Sequence, residues 1–223
     1  YLGSNENTLT SQPRASRETY QKLAKASAMQ VYPEIDLFEQ ETGYAIASEW
    51  LNKLALHTQV VIKRSPLCYA HGRVLYSALS RYLASIAASE TINIVETGTA
   101  RGFSSLCMAR ALEDTGRAGK VVTFDILPHR SSMYWNCIDD LEGKKSREEL
   151  LAPWKDMVHK YIVFVQGETR NTLPRVSVDR VHFAFLDASH TQSDVLFEFS
   201  HITGCQNSGD VVVFDDYTPT QYP

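Results

Sequence analysis

The sequence predicts an α/β fold, in which a doubly wound, mostly parallel sheet occupies the C-terminal two thirds of the chain. Short apolar runs, rich in β-branched residues, alternate with stretches of helical periodicity, which is typical of strands buried on both faces and joined by helices. The runs are Ile92–Val95, Val121–Phe124, Ile162–Val165, Val181–Leu186 and Val211–Phe214. Since helical crossovers between parallel strands are right-handed, we expect helices on both faces of the sheet.

Three helices are predicted before the first strand. Ser16 is a suitable N-cap for a helix over Glu18–Met29, and Pro33 interrupts that pattern. A second helix is predicted over Tyr44–Leu56. A third is predicted over His71–Ala88, where leucines recur at helical spacing and indicate one buried face.

Length and composition indicate one sizeable core with an N-terminal addition. The chain has 223 residues, of which 43% are hydrophobic. We expect residues 1–64 to form a helical appendage and residues 65–223 to form the domain that carries the sheet. Because the chain begins with Tyr1 and stops just after a strand, we also expect both ends to be trimmed, and the predicted sheet stops after its fifth strand.

Charge and cysteine content limit the classes of partner. The formal net charge is −4 and the lysines and arginines are scattered, so a nucleic-acid partner is not expected. No apolar run reaches membrane-spanning length. The cysteines are far apart and form no CxxC pair, which favours a reduced, cytoplasmic protein over a disulfide framework or a zinc site. They are Cys68, Cys107, Cys137 and Cys205.

A glycine-containing turn follows the first predicted strand. The segment ETGTARG places Gly98, Thr99, Ala100 and Gly102 between that strand and an amphipathic helix that continues to Leu112. A turn of small residues at a helix N-terminus exposes backbone N–H groups at the positive end of the helix, and such turns hold nucleotide-like ligands at the carboxyl edge of a parallel sheet. The spacing differs from the GxGxxG fingerprint, so a tight turn without a ligand is the alternative.

The second predicted strand ends on an acid. Asp125 follows VVTF, and a carboxylate at this place can accept both hydroxyls of a ribose. The alternative is an ordinary solvated aspartate at a strand end. The connection to the third strand, over Leu127–Lys160 with a helix near Arg147–Leu151, is longer than a crossover requires. It either covers a ligand or contacts a second subunit, so a homo-oligomer is one of the two alternatives.

Three carboxylates follow the last two predicted strands. Asp187 ends the fourth strand, and Asp215 and Asp216 end the fifth. If these strands are neighbours, their ends lie roughly 5 Å apart. Like charges repel unless a cation lies among them, and an all-oxygen set suits Mg²⁺ or Mn²⁺. Alternatively, Asp187 caps the helix that begins near Thr191 and Asp216 begins a turn.

A histidine follows the first of these carboxylates. His190 is a candidate general base, because its ordinary pKa is close to neutral and it stands three residues after Asp187. A solvent-exposed or structural histidine is the alternative. Thr191 and Asp194 already have the spacing of a capping box, which leaves Asp187 available for another role.

Five segments of the sequence resemble motifs of the class I S-adenosylmethionine-dependent methyltransferases, which have a Rossmann-like fold. They are VETGTARGFSS, TFDILPH, FVQGETRNTLP, FAFLDASHT and VVVFDDY, and the resemblance as a whole covers about residues 65–217. The likeness is strongest to the metal-dependent small-molecule branch that contains catechol O-methyltransferase and the cephalosporin hydroxylase-like proteins.

The resemblance implies a role for each of a set of residues. It places Asp125 on the ribose hydroxyls and gives catalytic roles to Asp187 and His190, with His190 standing where catechol-type enzymes have a lysine. Ala100 stands where many relatives have glycine. The implied cofactor contacts come from Glu96, Gly98, Thr99, Ala100, Gly102, Ser104, Asp125, Ile126, Gly167, Thr169 and Asp187. The implied metal ligands are Asp187, Asp215 and Asp216.

These observations predict an S-adenosylmethionine-dependent O-methyltransferase that acts on a hydroxylated small molecule with help from Mg²⁺ or Mn²⁺. One alternative is a cofactor-binding or assembly protein of the same fold without catalysis. Another is a nucleotide-linked oxidoreductase, which the spacing of the turn disfavours. The motifs leave the acceptor and the methylated position open. The aromatic candidates for the walls of the acceptor site are Tyr69, His71, Tyr134, Trp135 and Tyr217.

Overall fold

A five-stranded parallel sheet forms the centre of the computed structural model, which describes residues 12–189 and 191–215. The strands are β1 (Ile92–Thr97), β2 (Gly119–Asp125), β3 (Ile162–Gln166), β4 (Phe183–Leu186) and β5 (Val211–Phe214). Their order is β3-β2-β1-β4-β5, and every pairing is parallel. The strands β2 and β3 are added on one side of β1, and β4 and β5 are added on its other side. Ligands of open α/β sheets bind at the carboxyl ends of the strands where the order changes sides in this way. The predicted fold class is confirmed.

Nine α-helices lie among the described residues. They are α1 (Arg17–Ala28), α2 (Pro33–Thr42), α3 (Ser48–Thr58), α4 (His71–Ser85), α5 (Phe103–Asp114), α6 (Arg147–Leu150), α7 (Lys155–Tyr161), α8 (Thr169–Thr172) and α9 (Gln192–Thr203). Short 3₁₀ segments cover Ile138–Glu142, Ala152–Trp154 and Leu173–Arg175. Within residues 12–189 and 191–215, no helix combines the length and apolar character needed to cross a bilayer.

The N-terminal helices differ from the prediction in an additional helix and in the start of the helix that follows it. Ser16 caps α1 as expected, and its side chain accepts a hydrogen bond from the backbone N–H of Thr19 at 3.3 Å. Pro33, by contrast, is the first residue of α2, a helix that the sequence analysis does not predict. A proline suits the first position of a helix, since its missing N–H has no partner there. Gly43, with φ of 78°, ends α2, and the following helix therefore begins at Ser48 rather than Tyr44.

Alternate strand residues are buried on opposite faces of the sheet. Ile94 and Phe183 lie in the larger core with apolar residues of α3, α4, α5 and α7. Val95 and Ala184 lie in a second core with Ile202 of α9. Burial on both faces explains why the strands read as continuous apolar runs rather than as an alternation with polar residues.

Cysteine reactivity provides a test of this packing. Cys68 is exposed, whereas Cys107 and Cys137 are buried, and burial raises the pKa of the Cys137 thiol to about 12. Because the thiolate is the reactive form, we expect iodoacetamide to modify Cys68 in the folded protein and to leave Cys107 and Cys137 unmodified. Peptide mass spectrometry before and after unfolding in urea measures this. Rapid labelling of Cys137 in the folded protein would contradict the described core.

Candidate functional site

The tips of β4 and β5 bring two of the predicted carboxylates side by side. Leu186 pairs with Phe214 in the last register position of the two strands, and Asp187 and Asp215 follow directly. The backbone N–H of Asp215 donates to the carbonyl oxygen of Leu186 at 3.1 Å, so the pairing continues past the strand ends. Adjacent strands are about 5 Å apart. Asp187 and Asp215 are both half-buried at this edge of the sheet.

The remaining members of the predicted metal site lie outside the described residues. They are Asp216 and His190, and Tyr217 of the predicted acceptor walls is also outside. Within residues 12–189 and 191–215, no group of three or more histidine, cysteine, aspartate or glutamate side chains is arranged to hold a metal ion. The metal roles of Asp187, Asp215 and Asp216 and the base role of His190 therefore stay predictions.

The loop after β4 shows what caps α9. The hydroxyl of Thr191 accepts from the backbone N–H of Asp194 at 3.3 Å, so Thr191 rather than Asp187 is the cap. The Asp194 carboxylate accepts from the hydroxyls of Thr191 and Ser189 and from Nε of Arg170, at 2.5, 2.7 and 2.6 Å. These donors lower the pKa of Asp194 to about 2. Asp194 thus fixes the segment that connects β4 to α9.

Close chain contacts shape the glycine turn after β1. Gly98 has φ of +91°, and a Cβ atom there would lie 2.1 Å from the carbonyl oxygen of Asp187. The backbone N–H groups of Gly98 and Thr99 both donate to the carbonyl oxygen of Phe124, at 2.8 and 3.3 Å. Gly102, with φ of +86°, has the side chain of Leu151 against it. The small residues therefore let the ends of β1, β2 and β4 approach one another.

Ala100 is the exposed residue of this turn, and its φ of 46° is left-handed. Such a conformation is uncommon for a residue with a side chain, and it persists only when the surroundings hold it. Here the Ala100 N–H donates to Oδ2 of Asp125 at 2.5 Å, and its carbonyl accepts from Nε of Arg147 at 2.8 Å. The turn is thus held through both the N–H and the carbonyl of Ala100.

Glu96 is fully buried beneath the turn. Its Oε2 accepts hydrogen bonds from the hydroxyls of Ser105 and Thr123, and Thr123 also bonds to Thr99 at 2.6 Å. Oε1 is buried without a hydrogen-bond partner among the described residues. Burial raises the pKa of Glu96 against the opposing effect of the hydroxyl donors. Ser104, also a predicted cofactor contact, is buried in the first turn of α5 beside this group.

Asp125 lies at the end of β2 with most of its acceptor capacity in use. Oδ1 accepts from the backbone N–H of Leu127 at 2.7 Å, while Oδ2 accepts from both Ala100 and Nη2 of Arg147. Burial raises the pKa of Asp125, and the Arg147 guanidinium opposes that shift. The side chain is 10% exposed. Among the described residues, Oδ2 has two donors and Oδ1 has the Leu127 N–H, and the nearby backbone N–H of Ile126 also lowers the pKa of this carboxylate.

Arg147 is a site residue that the sequence analysis does not identify. Its side chain is 2% exposed, and besides Ala100 and Asp125 it reaches the carbonyl oxygen of Leu127 at 3.4 Å. The guanidinium carbon lies 5.6 Å from the centre of the Trp135 ring and 5.7 Å from that of Phe164. Because α6 is a single turn of four residues, the local sequence holds no signal that this arginine is buried.

Glu198 of α9 is a second buried acid that the sequence analysis misses. It is 1% exposed and accepts from the hydroxyl of Thr97 at 2.8 Å and from that of Thr169 at 2.6 Å. The Thr169 hydroxyl, one of the implied cofactor contacts, is therefore bonded to this carboxylate. Through these two hydrogen bonds, Glu198 connects the end of β1 with the segment after β3.

The other predicted contacts lie at the same edge of the sheet. Gly167 follows β3, and its N–H donates to the carbonyl oxygen of Asp125 at 2.8 Å. Ile126 follows Asp125 directly and is 57% exposed, so its side chain is accessible at this edge of the sheet. The carboxyl ends of β2 and β3 thus present an apolar side chain beside the Asp125 carboxylate.

The aromatic side chains predicted to line the acceptor site differ in their burial. Trp135 and Tyr69 are buried, and Tyr69 donates its hydroxyl to Asn52 at 2.8 Å, so both have packing roles. His71 is half-buried, with its ring 5.0 Å from Phe103 at the start of α5 and 6.3 Å from Phe185 of β4. It therefore lies between the helix that follows the glycine turn and the strand that leads to Asp187.

Comparison with known proteins places this architecture in a family. The cofactor-bound structure of Rv0187 from MTB is 21% identical over 83% of this chain and 73% of its own, with a TM-score of 0.52, which shows a shared fold. PaMTH1 from Podospora anserina, bound to SAH, is 14% identical over 93% of this chain and 73% of its own, with a TM-score of 0.47. No curated protein sequence matches the chain. A family model described as a methyltransferase domain matches residues 95–217, which is more than half of the sequence. The chain belongs to this family of methyltransferase domains.

Proposed function

We propose that the chain is an S-adenosylmethionine-dependent O-methyltransferase that acts on a hydroxylated small molecule with the help of a divalent cation. One observation carries the proposal. The glycine turn, Asp125 and the Asp187–Asp215 pair meet at the carboxyl edge of a parallel sheet, where the strand order reverses. Membership of the methyltransferase-domain family supports methyl transfer as the reaction.

The described residues fit S-adenosylmethionine in two respects. Oε1 of Glu96 is buried without a hydrogen-bond partner in the described part of the chain, and the cationic methionine end of the cofactor would complement it. The carboxylate of Asp125 would accept a ribose hydroxyl, and the exposed Ile126 side chain beside it offers apolar contact to adenine. When bound, the cofactor supplies a methyl group on a sulfonium. The chain's own contribution is to align that methyl group with the acceptor and to exclude water.

The carboxylates of Asp187 and Asp215 fit a hard cation such as Mg²⁺ or Mn²⁺, since both offer oxygen atoms on neighbouring strand tips. Asp216 is proposed as the third ligand. A divalent ion held by these carboxylates would lower the pKa of an acceptor hydroxyl group that it contacted. His190, three residues after Asp187, is proposed to take the proton from the acceptor, as a group with a near-neutral pKa can.

Calorimetric titration with S-adenosylmethionine and S-adenosylhomocysteine, with and without Mg²⁺, tests the cofactor and the metal together. We expect both compounds to bind and Asp125→Asn to weaken them about 10- to 100-fold, because a hydrogen bond to a charged acceptor is lost. Asp215→Asn is expected to abolish Mg²⁺ binding while leaving the cofactor affinity in metal-free buffer unchanged. Asp179→Asn, an exposed acid before β4, is the matched control.

The same titration separates the alternatives. Binding of NAD(H) in place of S-adenosylmethionine would favour the oxidoreductase. Cofactor binding without methyl transfer to any member of a panel of catechols, phenols and aliphatic alcohols would favour the cofactor-binding protein without catalysis. Methyl transfer that persists in chelator and in Asp215→Asn would refute the metal-assisted mechanism but leave methyltransferase activity in place.

A further inference from the structure

A cavity of about 360 Å³ lies between β3, α7 and the segment around His129, and Arg147 packs against its Phe164 side chain. Its floor is apolar and is formed by Phe164 and Ile162 of β3 together with Val158 of α7 and Leu151. None of the residues that line it belongs to the predicted cofactor or metal site. The strand-end site therefore does not account for this cavity.

The rim of the cavity carries more positive than negative groups. Arg130 and Lys155 are exposed cations at the rim, His159 is exposed beside them, and Glu148 is the one acid among the lining residues. The Arg130–Glu148 ion pair is 3.8 Å long, with side chains 87% and 58% exposed. Such an exposed pair contributes little, so Arg130 can turn to an incoming anion at small cost. This concentration of cations contrasts with the net negative charge of the whole chain.

His129 links the rim to the floor. Its ring stacks on Phe164 with 4.0 Å between ring centres and 22° between planes. Its Nδ1 is buried and has no hydrogen-bond partner among the described residues. Burial and the nearby Arg147 lower the pKa of His129, so the ring is neutral at neutral pH. A buried ring nitrogen without a partner, beside an apolar floor, is a feature that a polar ligand atom would satisfy.

We propose that this cavity is a second binding site, for a small aromatic molecule that carries a phosphate or carboxylate group. The aromatic ring packs on Phe164 and Val158. The anionic group faces Lys155 and Arg130, and an oxygen atom of the ligand accepts from or donates to His129. The volume exceeds that of a single substituted benzene ring, and small-molecule sites combine an apolar wall with a few placed polar groups in this way. The proposal is independent of the methyltransferase reaction.

Calorimetric titration of the full chain with phenyl phosphate tests the proposal. Inorganic phosphate and phenol, each of which carries one part of that molecule, are the matched probes. We expect phenyl phosphate to bind at least about tenfold more tightly than either fragment, because the floor and the rim both contribute. Lys155→Gln and Arg130→Gln are each expected to weaken phenyl phosphate about 5- to 10-fold. Lys22→Gln on α1 is the control and should leave the affinity unchanged.

Three results would overturn the proposal. The first is an affinity for inorganic phosphate equal to that for phenyl phosphate, which would indicate an adventitious ion only. The second is undiminished binding to both Lys155→Gln and Arg130→Gln. The third is displacement of phenyl phosphate by S-adenosylhomocysteine in proportion to its occupancy, which would place the probe in the strand-end site. Because both rim side chains are exposed, their replacement should not affect folding, and a circular dichroism spectrum verifies this.

Discussion

Replacing Arg147 with methionine is expected to lower the free energy of unfolding by about 3–5 kcal/mol. Methionine can retain the apolar contacts with Trp135 and Phe164, but it cannot donate to the carbonyl oxygens of Ala100 and Leu127. It also leaves the buried Asp125 carboxylate without its cation, so the pKa of Asp125 should rise further above its ordinary value. Urea unfolding monitored by circular dichroism measures the change.

A double-mutant cycle separates the charge from the packing. Since most of the loss is the cost of an uncompensated buried carboxylate, Asp125→Asn in the Arg147→Met background should recover part of the stability. Arg81→Met, on the exposed surface of α4, is the control and should change stability by less than about 0.5 kcal/mol. An unfolding midpoint for Arg147→Met equal to that of the unchanged protein would show that the Asp125–Arg147 pair contributes nothing net.

Arg147 also shows why only part of the site can be predicted from the sequence. The strands, the turn after β1 and the acid at the end of β2 follow from local patterns, because strand burial and turn chemistry depend on neighbouring residues. The contacts of Arg147 with Ala100 and of Glu198 with Thr97 join residues 47 and 101 positions apart. No local pattern encodes such pairs, and a buried arginine reads the same in sequence as an exposed one.

The N-terminal helices illustrate a different limit. A proline ends a helix when it lies inside one and begins a helix when it lies at the first position, so Pro33 has two interpretations. What distinguishes them is whether the next turn can bury an apolar face. Residues of α2 contact α4 from the larger core, and Arg73 of α4 bonds to Asp36 and Glu39 of α2. That partner lies far along the chain, and the local sequence does not reveal it.

Gly98 has two physical explanations that look identical in sequence. A small residue in a turn before a helix can leave room for a ligand, or it can let another segment of the same chain approach. The structure shows the second cause directly, because the missing Cβ would lie 2.1 Å from the carbonyl oxygen of Asp187. A ligand held at this turn would therefore contact the backbone of both strand tips, and the close approach is what brings Asp187 to the glycine turn.

Gly98→Ala is expected to lower the free energy of unfolding by about 4 kcal/mol or more, since it adds a backbone clash to an unfavourable positive φ. For a chain of this size that corresponds to a fall in Tm of about 10 °C.

Gly209→Ala is the matched control, because Gly209 has nearly the same φ of +95° but no atom within 4 Å of the place that a Cβ would occupy. The free energy of unfolding of Gly209→Ala should fall only by the cost of placing a side chain at positive φ, about 1–2 kcal/mol. The difference between the two variants isolates the contact with Asp187. Equal losses in differential scanning calorimetry would mean that the strand tips separate without cost, and the carboxylates would then not depend on this turn for their position.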